Sequence, residues 1–198
     1  MVMNPGNLAR AHRLLAPRIA YLIGTRDQHS EPNLIPVSNV TSVSTEPELV
    51  LLAVFKEWQT HANLIDTNAF TLSVPRVEHS LGVWKLGARY SRYRFSDLRT
   101  KLEGSGLSIE DRADLPGPIL RDGLGWMSCS VSQCLDVGGD HGVFIGEVTH
   151  VEFDDQYLDA EGLPQIDPHP LMQVTGNQFS TSAESFRLPY GDRHVDHQ

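Results

Sequence analysis

The chain has 198 residues, 40% of them hydrophobic and 21% charged, with 25 acidic against 16 basic side chains. That length supports one domain with its own core, and a mean hydropathy of -0.26 with a mixed apolar pattern excludes wholesale disorder. A formal charge of -9 argues against a protein that coats nucleic acid or anionic membrane, and no apolar run approaches the ~18–20 residues that span a bilayer. Residues 1–17 lack the apolar stretch of a signal peptide, so the expected setting is the cytoplasm.

In chain order, Leu8 to Leu15 is a short amphipathic helix ended by Pro17, and Ile19–Thr25 is a strand-length apolar run. Asn33–Ser44 is rich in β-branched residues and reads as a second strand. Its internal Pro36 places it at an edge or bulge, because proline cannot donate to a ladder. Leu49–Phe55 is continuously apolar and reads as buried on both faces. Gln59–Thr67 is helical with a stop at Asn68, Phe70–Val74 is a strand, and Val77–Leu86 is helical with Val77, Leu81, Trp84 and Leu86 near one face. Residues 87–118, basic and then rich in Gly and Pro, read as a long excursion outside the core. Strands at Trp126–Asp136 and Val143–Phe153 follow, then a turn-rich tail with a weak strand at Gln173–Thr175. About six strands without a helix after each one predict an antiparallel barrel rather than a parallel βαβ fold.

The chemistry-bearing signatures are mostly missing. There is no GxxxxGK[ST], no GxGxxG between strand and helix, and no GxSxG, HExxH or CxxC. Nine scattered histidines have no metal-ligand spacing apart from His194 and His197 in the polar tail, so no metal is expected. Cys129 and Cys134, five apart on one strand, point to opposite faces and read as small packing residues, not a disulfide. What remains fits a planar anionic ligand. Pro36 would free backbone groups for the edge of a heterocycle, and Thr60 at a helix start would offer N–H groups to a phosphate. The bland alternatives are an edge-strand bend and a plain N-cap. Residues 85–101 hold six basic side chains and one acidic one, leaving the rest of the chain at -14. Within them Arg89, Tyr90 and Ser91 form a group able to grip a phosphate, the bland alternative being a solvated basic loop.

Taken in order, NLIPVSNVTSVSTEPELVLLAVF, then Thr60-His61-Ala62-Asn63-Leu64-Ile65, FTLSVP, the D-H-x4-G-x-V run from Asp140 to Val148 and the closing GNQF resemble the flavin reductase-like family. The resemblance implies an FMN-binding, six-stranded antiparallel Greek-key split barrel: mainly β, with short inserted helices. It makes residues 1–198 one domain, with an arm (1–16), a barrel (17–155) and a C-terminal extension (156–198). It implies a homodimer holding FMN, or alternatively FAD, in an interface groove, and NAD(P)H as co-substrate. By position, Asn33, Pro36, Val37, Ser38, Asn39 and Val40 would meet the isoalloxazine edge, chiefly through main chain. Ala53, Val54, Phe55, Lys56, Trp58, Thr60 and Asn63 would line the ribityl and phosphate side, with Arg89, Tyr90 and Ser91 on the phosphate and Arg92 or Arg94 as the alternatives to Arg89. His141 would lie near the nicotinamide.

The implied activity is hydride transfer from NAD(P)H to flavin, and the flavin's own reactivity explains why no catalytic triad is legible. Reduced flavin would serve a monooxygenase partner or a second substrate at the same site. The alternatives are an electron-transfer flavoprotein without nicotinamide activity and a split-barrel dimer binding another cofactor.

Overall fold

The computed structural model describes residues 5–87, 93–160, 162, 164, 165, 167 and 169–183. A 3-10 helix at Leu8–Leu15 precedes strands β1 (Arg18–Ile19), β2 (Tyr21–Arg26), β3 (Pro32–Val37), β4 (Val40–Thr45) and β5 (Glu48–Phe55). Helix α1 (Gln59–Thr67), strand β6 (Ala69–Val74), a 3-10 turn at Val77–His79, and helices α2 (Ser80–Leu86) and α3 (Leu98–Ser105) follow. The short β7 (Ile109–Glu110) and β8 (Ile119–Leu120) lead to the long pair β9 (Gly125–Asp136) and β10 (His141–Phe153), then to β11 (Met172–Thr175) and β12 (Gln178–Ser180).

Seven strands form one all-antiparallel sheet in the order β3-β2-β6-β9-β10-β5-β4. The expected six became seven because Asn33–Ser44 divides at Ser38–Asn39. Its halves β3 and β4 are the two ends of the sheet, and no ladder joins them among the described residues. The barrel is therefore split, not closed, and its seam is a two-residue link. Pro36 sits opposite Leu22 on the edge strand β3, where its missing N–H costs no ladder bond.

Two cores flank β2, because successive strand residues face opposite ways. Ile23 packs inside the barrel with Val37, Val50, Leu52, Val54, Leu64, Phe70, Leu72, Cys129 and Phe144. Leu22 packs outside it with Leu34, Val83, Leu86, Leu102, Leu120 and Leu171. Gly146 lies under Phe70, and a Cβ there would stand 2.8 Å from the ring, so the sheet requires glycine at that point.

Several expectations need correction. The strand Leu49–Phe55 is not buried on both faces: Val50, Leu52 and Val54 point into the barrel, whereas Leu49, Leu51, Ala53 and Phe55 stay half-buried on the outer face. On α2 it is Gly82, Val83 and Leu86 that are buried, while Leu81 is 58% exposed. Nor does 87–118 lie wholly outside the core, since α3 and the segment behind it bury Lys101, Leu102, Ser105 and Leu115. The tail is likewise integrated, with β11 pairing β1 and Leu171 fully buried. Cys129 is buried and Cys134 exposed, both unbridged.

Candidate functional site

The outer end of β5 and the start of β10 meet where Phe55 and His141 are directly opposed in the ladder. Phe55 is held between two rings, with centroids 5.9 Å from Trp58 and 5.6 Å from His141 in an edge contact. Edge and tilted contacts of this kind fix ring orientation. The Lys56 backbone N–H donates to the Asp140 carbonyl at 3.0 Å, closing the β5–β10 corner. His141 Nδ1 bonds the Asp140 carboxylate at 2.6 Å, which orients the ring. That hydrogen bond holds the Asp140 carboxyl below its usual range. Lys56 Nζ does the same for Asp136, donating to it at 2.9 Å.

The seam adjoins this corner. The Ala53 N–H donates to the Asn39 carbonyl at 2.9 Å, so Asn39 extends β4 alongside β5, in the plane of the sheet. The Asn39 side chain accepts from Arg18 at 2.7 Å, and Ser38 Oγ donates to Gln173 at 3.1 Å. Arg18 Nε is buried without a hydrogen-bond partner among the described residues. A guanidinium with one orphaned donor, two link residues outside any strand and a wall of Phe55, Trp58 and Ala53 fit a flat heteroaromatic with a polar edge.

Several residues named from sequence do not face this groove. The side chains of Val37 and Val54 belong to the inner core, and Val40, paired with the inward-facing Leu52, packs against it. Asn33, Thr60 and Asn63 are buried in a network of their own. Asn33 Nδ2 donates to Thr60 Oγ1 and Asn63 Nδ2 to Thr25 Oγ1, both at 2.9 Å, and Gln59 Nε2 donates to Asn63 Oδ1 at 2.7 Å. Their side chains lock α1 to β2 and β3. Thr60 is not the N-cap either: Trp58 holds that position, with no side-chain cap bond, and Thr60 lies two residues inside. The reason is geometric, since a hydroxyl turned toward Asn33 cannot also close the helix end.

Arg89, Tyr90 and Ser91 lie outside the described residues. Gly87, two positions before Arg89, packs against Pro36, with its Cβ position 3.6 Å from the proline ring. The other cations of 85–101 diverge. Lys85 Nζ bonds the Gly104 carbonyl and lies over the Tyr93 ring, Arg99 is exposed on α3, and Lys101 is buried.

Three neighbours of the site were not singled out in the sequence. Lys101 Nζ donates to Asn33 Oδ1 at 3.1 Å, and burial lowers its pKa to about 8. The legible signal was Asp97 and Gly106, a helix start and stop that put Lys101 in one turn with the apolar Leu102. His61 stands edge-on to Phe144 with centroids 5.3 Å apart, and its pKa is lowered by burial and by Lys56. The space it fills exists because residue 142 is glycine: a Cβ there would lie 2.4 Å from His61 Nε2. Arg18 carried no sequence signal, because its role depends on its pairing with Gln173, 155 positions away.

A family model described as a flavin reductase like domain matches residues 13–181. An uncharacterised protein of Pyrococcus abyssi is 26% identical over 170 residues, covering 86% of this chain and 93% of that protein. Among solved structures, a split barrel domain assigned to the flavin reductases, from Shewanella frigidimarina, aligns with a TM-score of 0.77 at 22% identity over 94% of each chain. The NADH:FAD oxidoreductase of Streptomyces globisporus aligns at 0.68 and 18% identity, over 93% of this chain and 98% of that one.

Proposed function

The chain belongs to the flavin reductase-like family, and we propose that it is a homodimeric NAD(P)H-dependent flavin oxidoreductase whose flavin lies along the seam beside Phe55 and His141. The observation that carries this reading is the barrel's split at Ser38–Asn39, where Asn39 bonds Ala53 two residues before the Phe55–His141 ring pair. Bound flavin supplies the acceptor that takes two electrons from reduced nicotinamide, so the protein needs no acid, base or nucleophile of its own.

The chain's residues bind and orient. The main chain at 38–39, with Arg18, offers the polar groups for the ring's heteroatom edge. Phe55, Trp58 and Ala53 form the apolar wall. Arg89, Tyr90 and Ser91 bind the phosphate in this reading, entering from Gly87 beside Pro36. Asp140 holds His141 with Nε2 free of that bond, ready to meet a carboxamide on the nicotinamide.

The second copy is argued from the outer face of the sheet. Leu49, Leu51, Ala53 and Phe55 of β5 stand beside Val143, Ile145 and Leu135, and the patch is only half covered within one chain. An apolar face of that extent calls for a partner, and self-association across it would enclose the groove. Among the described residues no helix is long and apolar enough to cross a membrane. The reduced flavin's acceptor in this reading is a monooxygenase partner or a second small molecule.

The test is the visible spectrum of freshly purified protein, followed by NADH and NADPH oxidation with and without FMN or FAD. Flavin absorbance and flavin-dependent nucleotide oxidation support the reading. If neither nucleotide is oxidised while dithionite bleaches bound flavin, the protein is an electron carrier. A colourless protein whose Trp58 emission is not quenched by added flavin binds something else. Replacing Arg89 by Ala is expected to weaken FMN about ten- to a hundredfold and leave riboflavin unchanged.

A further inference from the structure

The 3-10 helix Leu8–Leu15 has no buried residue: Leu8 is 91% exposed, Leu14 89% and Leu15 66%. Eight residues are long for a 3-10 helix and too few for a helix to stand alone in water, so capping of Ala9 N–H by Asn7 is insufficient support. The segment is also cationic. Arg10, His12 and Arg13 lie on it, and no acidic residue occurs before Asp27. It leaves the body at Arg18, which is fixed by β11 and by Asn39, so it projects from the seam itself.

A surface of complementary character lies at the β9–β10 turn. Leu135 and Val137 are 42% and 64% exposed there, and Asp136 and Asp140 are both exposed. Lys56 faces Asp136 and His141 faces Asp140; His61 lies nearby on α1. Among the described residues of one chain, Leu135, Val137, Asp136 and Asp140 of this turn stay exposed.

We propose that residues 7–15 of each protomer dock on the β9–β10 turn of a second copy, covering its flavin groove. This rests on the dimer reading above and adds the arm to it. The helix rises about 2 Å per residue, so its eight residues reach about 16 Å, beyond the ~10 Å that separates packed sheets. Leu14 and Leu15 meet Leu135 and Val137, and Arg10 and Arg13 meet Asp136 and Asp140. A second copy is favoured over a lipid surface because the molecule carries -9 overall and would be repelled by anionic headgroups.

The experiment measures the monomer–dimer constant of the full chain by sedimentation equilibrium, for wild type, Leu14→Glu and Arg13→Glu, with and without Asp140→Lys. Leu14 is exposed in the monomer, so its replacement leaves the fold intact. Because a two-fold assembly holds two arms, Leu14→Glu is expected to weaken the dimer about a hundredfold. Arg13→Glu is expected to weaken it less, and Asp140→Lys to restore part of that loss. An intact dimer with an unchanged constant in Leu14→Glu overturns the arm and leaves the dimer standing. A wild type monomeric at every concentration, with or without FMN, overturns both. Wild-type but not Leu14→Glu binding to phosphatidylglycerol vesicles overturns the proposal in favour of a membrane surface.

Discussion

Lys101 is the costliest charge in the molecule's interior. It is 8% exposed, its ammonium donates to one amide oxygen, and no carboxylate is paired with it among the described residues. Its pKa of about 8 against the ordinary 10.5 means that the unfolded chain holds this proton more tightly. Lys101 therefore raises stability as pH climbs from about 8 to 10.5, and below that window it is a constant burden of about 3 kcal/mol. Cys129, pushed up from 9.0 to about 12 by burial, acts in the opposite sense above about pH 9, so the effect is read as a difference between proteins. The stability advantage of Lys101→Met over wild type, from urea unfolding, is expected to shrink steadily between pH 8 and 10. A pH-independent difference would show that the ammonium is not desolvated. Asn63 makes a second residue-scale test. Both ends of its amide are used inside the protein, by Thr25 and Gln59, so Asn63→Ala is expected to cost about 1–3 kcal/mol of stability. Flavin affinity of the folded variant should be unchanged, whereas a loss of affinity without a loss of stability would return Asn63 to the ligand.

The elements divide by how local their signals are. Strands β9 and β10, helix α1 with its left-handed Asn68 stop, and the edge position of Pro36 were legible because turn residues and proline act on their own neighbours. Helix α3 was hidden in a basic stretch, although Asp97 accepts from the Thr100 N–H and Gly106 closes the end in the left-handed conformation. Asp97→Ala is expected to lower the urea midpoint without changing the slope, and Asp97→Ser to restore most of it, since serine also caps. If alanine leaves the midpoint unmoved, packing of Leu102 alone holds the helix. The site was only half legible for the same reason. A motif can name Asn33 and Thr60, but whether their side chains face a ligand or each other is decided by α1 crossing β3, a contact between residues 27 apart in sequence. Residues 88–92, where Arg89 and Tyr90 fall, are outside the description and stand on the sequence reading alone.

At the scale of the whole molecule, the apolar run Leu49–Phe55 joins these observations. Its composition called for burial on both sides, and one chain supplies only the inner one, with Val50, Leu52 and Val54. The unmet half lies on the same outer face as Phe55, so in the proposed dimer flavin binding and self-association would share residues and would be thermodynamically linked. Anything that binds the dimer and not the monomer shifts the association constant by mass action. FMN is therefore expected to strengthen the dimer, and flavin affinity to rise with protein concentration through the dissociation range. Leu51→Glu, which places a charge on the outer face opposite Ile145, should weaken dimer and flavin affinity together while the inner core keeps the chain folded. Fluorescence titration of FMN at several protein concentrations reads this directly. Affinity independent of concentration in a dissociating protein would place the whole flavin site within one chain, and would leave the outer face of β5 to some other partner.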